Sequence, residues 1–145
     1  MKKSLIALSL ALTASPVFAG DLDSDSATVS MDVALYASLT GLDDFTLTAD
    51  STDGAAGSTY SGSDTYNLES NGQVRVTMTG SDLSNGTDTV STSYSLDGSG
   101  MTYDTTADSV HNQSHSVAAV ATLGAISAQK AGAYAGDITL TVSAI

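Results

Sequence analysis

AGAYAGDITLTVSAI, residues 131–145, decides the fold. Ile138, Leu140, Val142 and Ala144 fall on one face of an extended chain, and Thr139, Thr141 and Ser143 fall on the other. A period of two marks a strand with one buried face. The pattern recurs upstream. Residues 27–39, ATVSMDVALYASL, place Ala27, Val29, Met31, Val33 and Leu35 on one side, and a short apolar alternation follows in DFTLTA at 44–49. DTYNLESNGQVRVTMTG, residues 64–80, reads as a hairpin about Asn71-Gly72, a pair suited to the positive φ angles of a type I′ turn. TVSTSYSL at 89–96 and MTYDT at 101–105 flank a second turn, Asp97-Gly98-Ser99-Gly100.

The stretches 50–63, 81–88 and 106–116 are polar and read as loops. SVAAVATLGAI at 116–126 has alanines that permit a helix, while Val117, Val120 and Ile126 fit a strand. The closing strand is expected over 133–144. No window carries a helical period. About seven or eight short strands separated by turns predict an all-β, Ig-like β-sandwich. Its expected core is Val29, Met31, Val33, Leu35, Phe45, Leu47, Leu68, Val74, Val76, Tyr94, Leu96, Ile138, Leu140 and Val142. Many other inward positions are Ala, Ser or Thr, so the core is modest and an added strand would strengthen it.

Residues 1–19 read as a secretory signal peptide: Lys2 and Lys3, an apolar run from Leu5 to Leu12, and Val17-Phe18-Ala19 at the cleavage site. The run is too short to span a membrane. An Ala-rich signal on a Met-Lys-Lys start points to a Gram-negative bacterium, and no Cys follows it to take a lipid anchor. Residues 20–145 then form one domain, with Arg75 and Lys130 set against 16 acidic residues, a net charge of −14. Such a surface repels nucleic acid and anionic membranes. The chain has no Cys, and its one Pro, Pro16, lies in the signal, so the domain uses no disulfide.

Catalytic motifs are missing from the sequence. There is no G-x-S-x-G elbow, no glycine-rich phosphate loop before a helix, and one glutamate, Glu69, beside a turn. An enzyme is not expected. Asp21, Asp23 and Asp25 alternate as in a calcium loop, but the positions that need Gly and Glu hold Ser26 and Asp32. Asp43, Asp44, Asp50 and Asp53 form a second acidic group that turn chemistry explains equally well. No cofactor is expected beyond weak calcium binding. His111 and His115 share an H-x-x-x-H spacing without a third ligand, in a stretch that reads as loop, so they are expected to be exposed and not zinc-bound. Tyr60, Tyr66, Tyr94 and Tyr103 suit either a carbohydrate surface or packing over a sheet.

Natural sheets blunt their edges with Pro, Lys, bulges or short strands. Here the first and last alternating stretches are long and regular. They either pair with one another inside the sandwich or meet another chain by strand addition. The stretches ATVSMDVALYASLTGLDDFTL (27–47) and AGAYAGDITLTVSAI resemble the first and last strands of fimbrial subunits, nearest to the cysteine-free pilins of alternate chaperone–usher fimbriae and more loosely to spore-coat-U-like pilins. The terminal likeness rests on Ala131, Gly132, Tyr134, Gly136, Ile138, Thr139 and Leu140.

That resemblance implies an incomplete Ig-like domain, a structural subunit of a bacterial surface filament, completed by a donor strand from the next subunit. Donor residues would be Ala27, Val29, Met31, Val33 and Leu35. Tyr134, Ile138, Leu140 and Val142 would line the receiving groove. The implied partners are other copies or related pilins, a periplasmic chaperone and an usher. The implied location is the cell surface, in a fimbrium, or the periplasm. A secreted or periplasmic sandwich that binds glycan or calcium is the alternative.

Overall fold

The computed structural model describes residues 23–145; the expected signal peptide lies outside them. The chain divides into two units, Met1–Asp32 and Val33–Ile145. In the first, residues 23–32 carry no strand and are exposed. The second is all-β among the described residues, with β1 (Ala37–Thr40), β2 (Thr48–Ala49), β3 (Thr59–Ser70), β4 (Val74–Gly80), β5 (Leu83–Ser84), β6 (Thr89–Leu96), β7 (Thr102–Asp104), β8 (His111–Thr122) and β9 (Ile138–Ala144).

Two sheets face each other. One runs β1-β3-β8-β6-β5 with β2 also on β3; the other runs β7-β4-β9, and all pairs are antiparallel. The expected β-sandwich is therefore present. Constant-type Ig domains order one sheet A-B-E-D and the other C-F-G. The path β1-β3-β8-β6 follows the first order, and β4-β9 supplies C and F. Among the described residues no strand occupies the place of G beside β9.

Alternation builds the core. β3 turns Tyr66 and Leu68 inward, β8 turns Val117, Ala119 and Ala121, and β6 turns Val90 and Leu96. From the other sheet β4 contributes Val74, Val76 and Met78. Ile138, Leu140 and Val142 of β9 pack against this cluster but stay half-buried, because one flank of β9 is open. β7 is short, and Arg75 pins it to β4 by a two-pronged pair with Asp104, opposite it in register, at 2.6 and 2.7 Å.

Both expected hairpins are corrected. β3 and β4 do not pair; they lie in opposite sheets. Both edges of β3 are occupied, by β1 and β2 on one side and β8 on the other, so β4 has no place beside it. Gln73 Nε2 donates to the Thr105 carbonyl at 2.9 Å, and Val74 N–H donates to Thr105 Oγ1 at 2.9 Å, which draws the chain across to the second sheet. Neither Asn71 nor Gly72 has positive φ. Gly72 lies against the end of the Leu35 side chain, where a Cβ would stand 2.8 Å from Cδ1 and push that side chain aside. At the second turn Asp97 and Gly98 do take positive φ, 47° and 73°, and Ser99 N–H donates to the Leu96 carbonyl at 2.8 Å. That is type I′ chemistry, but past Gly100 the chain leaves for the other sheet.

Other boundaries also move. Residues 27–35, expected as a strand and as core, form no strand, and Val29, Met31, Val33 and Leu35 are exposed by 94%, 82%, 72% and 48%. Only Thr48–Ala49 of DFTLTA pairs, the loop after it ends at Ser58, and the closing strand begins at Ile138. The polar stretch 106–116 is half strand, since β8 starts at His111; Asn112, Gln113 and Ser114 there are exposed. The core set misses Tyr66, Met78, Val90, Val117, Ala119 and Ala121.

Leu68 is fully buried at the centre of the cluster. Leu68→Ala is expected to lower stability by about 2–5 kcal/mol, read from the urea midpoint with the slope unchanged.

Candidate functional site

The most distinctive feature is the free side of β9. β4 satisfies one edge of this strand along its whole length, from Val74 opposite Ala144 to Gly80 opposite Ile138. The other edge has no ladder partner among the described residues. β1 approaches β9 across this gap but shares no ladder with it. At seven residues the edge runs for roughly 23 Å. Each end opens into a depression. Where β9 starts lies a cleft of about 1540 Å³ between the 42–47 and 125–137 stretches, with Leu42, Phe45, Tyr134 and Ile138 on its walls and Ala119 and Ala121 on its floor. Where β9 ends, Ile145 shares a smaller depression of about 450 Å³ with Val33, Leu35 and Asn71.

Small side chains make the cleft deep. Ala119 and Ala121 are buried yet fill little volume. Gly62 of β3 admits the overhanging segment, because a Cβ there would meet the Thr46 carbonyl oxygen at 2.6 Å. Tyr134 donates its hydroxyl to the Lys130 carbonyl at 2.9 Å, which fixes the ring at the mouth. Of the residues expected as the groove, Tyr134 and Ile138 line this cleft, while Leu140 and Val142 follow along β9 and pack half-buried against the core. Ala27, Val29, Met31, Val33 and Leu35, expected as donors, are all exposed and form no strand. Leu42 and Phe45 in the cleft and Ile145 in the smaller depression were not anticipated, since Phe45 and Leu47 read as one face of a strand.

Three of the carboxylates near the 42–53 stretch serve local structure. Asp50 accepts from Ser61 Oγ, Asp53 accepts from the Tyr60 hydroxyl, and Asp64 accepts the Asp43 N–H at 2.7 Å. The Asp43 and Thr65 N–H groups hold the Asp64 carboxyl below its ordinary range. Among the described residues no three His or acidic side chains converge as a metal cluster would require. Asp21 lies outside those residues.

His115 is a correction. It is buried at 7% exposure on the inner face of β8, not in a loop. Its ring stacks on Tyr66, its register partner on β3, with centroids 5.4 Å apart, and meets Tyr103 at 4.3 Å. Nδ1–H donates to Asp97 Oδ2 at 2.7 Å, and Asp97 Oδ1 accepts the Ser116 N–H at 2.8 Å. Asp97 thus ties the type I′ turn to β8. Burial raises its carboxyl, but the Ser116 N–H and His115 outweigh that and hold it below the ordinary carboxylate range. Burial, helped by the charge of Asp97, pushes the Tyr66 hydroxyl up to about 12. That hydroxyl is the one buried side-chain polar atom without a hydrogen-bond partner among the described residues.

No family model matches the chain, and no curated protein matches it either.

Two outcomes follow from the His115 cluster. A depressed carboxyl lends stability that is full above its unfolded value of 3.8 and is lost as pH falls through the folded value. The wild-type urea midpoint is therefore expected to drop below about pH 4. Asp97→Asn, which tolerates the same positive φ, is expected to be less stable than wild type at neutral pH and to close the gap in acid. Tyr66→Phe removes an unsatisfied hydroxyl and is expected to raise stability by about 1 kcal/mol in urea titrations.

Proposed function

We propose that this chain is a structural subunit of a bacterial surface filament, assembled by β-strand addition between copies. The unpaired edge of β9 carries the reading. A regular seven-residue strand with one free side presents unsatisfied N–H and C=O groups above half-buried Ile138, Leu140 and Val142. An incoming strand would satisfy the first and cover the second. Segment 27–35 is the matching insert: its apolar side chains alternate, it forms no strand, and Val29, Met31 and Val33 are more than two-thirds exposed. Burying each of these would contribute roughly 1.5–3 kcal/mol before the cost of ordering the segment.

In this reading a signal peptide at 1–19 directs export, and a periplasmic chaperone covers the groove until an usher passes the subunit to its neighbour. The protein resides in the fimbrium or, before assembly, in the periplasm. It is not an enzyme and carries no cofactor. Carboxylates at the rim, including Asp43, Asp44 and Asp137, face an insert that itself bears Asp32. Assembly should accelerate as ionic strength rises.

Light scattering on the purified chain tests the reading. Masses in multiples of one subunit that persist in mild denaturant are expected, together with one-to-one binding of a peptide of residues 26–36 to any remaining monomer. Val29→Asp with Met31→Asp alters only exposed side chains, so the fold should persist while the multiples disappear. A wild-type chain that stays monomeric and ignores the peptide refutes strand addition and returns attention to glycan or calcium binding.

A further inference from the structure

One side chain fixes the point at which the insert segment leaves the domain. Asn71 sits in the three-residue corner between β3 and β4. Its Nδ2 donates to the Ala34 carbonyl at 2.9 Å, and its Oδ1 accepts the Tyr36 N–H at 2.7 Å. Its own N–H donates to the Tyr36 carbonyl at 3.1 Å. A carboxamide carries one donor end and one acceptor end, as a peptide group does. Asn71 therefore treats residues 34–36 as a neighbouring strand would, although they lie outside β1. Leu35 is seated against Gly72, with its Cδ1 2.8 Å from where a Cβ would stand.

The position of this clamp matters because of strand direction. β1 begins at Ala37 opposite Ser70, and β9 ends at Ala144 opposite Val74. Both points flank the 71–73 corner. The free edge of β9 therefore extends from this corner alongside β1 itself. For residues 27–35 to lie on the β9 of their own chain, the backbone must double back between residues 33 and 37. Three hydrogen bonds hold that stretch extended.

We infer that Asn71 is a positioning residue that keeps the segment from folding back into its own groove, and so makes strand addition intermolecular. This rests on the filament reading above. A chain able to reverse at Ala34–Tyr36 would cap itself, because an insert tethered to its own groove has an effective concentration that a second subunit in dilute solution does not match. The clamp removes that competitor.

The test compares wild type with Asn71→Ala, both purified after export from a bacterial host. Three readouts are taken: exchange of the Tyr36 amide by NMR, mass by light scattering, and uptake of the 26–36 peptide by the monomer fraction. In wild type the Tyr36 amide is expected to be protected although the residue is 68% exposed. In N71A it should exchange roughly tenfold faster, as loss of one hydrogen bond allows. The monomer share should rise, and those monomers should refuse the peptide because their own segment fills the groove.

The inference is overturned if N71A loses Tyr36 protection yet assembles as wild type does, or if its extra monomers still take the peptide. An unprotected Tyr36 amide in wild type removes the clamp itself. A protected Tyr36 in a wild-type chain that neither assembles nor binds peptide sinks the filament reading, and the inference with it, by a separate signature. Should N71A fail to fold, Asn71→Asp keeps the acceptor for Tyr36 and drops the bond to Ala34. It is expected to raise the monomer share in the same direction, and no change would count against the clamp.

Discussion

Every backbone N–H and C=O removed from water needs a partner, and among the described residues β9 has partners on one side only. Much else about the domain follows from that single flank. It leaves Ile138, Leu140 and Val142 half-buried when their alternation would suit a closed core. It separates β1 from β9 and lets the interior open into a cleft where the alanines of β8 meet the 42–47 stretch. A sandwich normally closes both sheets around shared side chains. Here, among the described residues, the smaller sheet has three strands, with β9 at its edge.

The rest of the structure adds polar contacts that fix neighbouring strands within each sheet. Thr105, buried, follows β7 and accepts from Val74 of β4 in the smaller sheet. Asp97 joins the turn after β6 to His115 and Ser116 of β8 in the larger sheet. Arg75 and Asp104 lock the short edge strand β7. These are directional contacts with fixed geometry, and they hold adjacent strands in register where apolar volume is scarce. The small residues at inward positions, which made the core look modest from sequence, are the same residues that give the cleft its depth.

The sandwich class and the inward faces of β4, β6 and β9 were legible in the sequence, because alternation over a half-buried face is a local signal. Sheet membership was not. A three-residue link such as Asn71-Gly72-Gln73 serves a hairpin and an inter-sheet corner equally well, and only the occupied edges of β3 decide between them. His115 was misjudged because its polar neighbours Asn112, Gln113 and Ser114 are themselves strand residues with outward or marginal positions. Of the groove, the β9 wall could be read directly. The opposite wall at Leu42 and Phe45 could not, since overhang depends on Gly62 leaving room beneath it. The role of Asn71 had no sequence signal, because a turn asparagine and a strand-mimicking asparagine look alike.

The connectivity also sets an order in time. β4 is the centre of the smaller sheet, yet its long partner β9 is the last strand of the chain, and β3 waits for β8 across four intervening strands. Ladders between such distant segments close late, because the loop entropy is lost before the contacts form. During synthesis β3 and β4 therefore each keep a bare edge until the C-terminal half arrives. A nascent chain of this topology is most adhesive before it is complete, and the alternation that shapes its finished faces is then exposed to any extended neighbour.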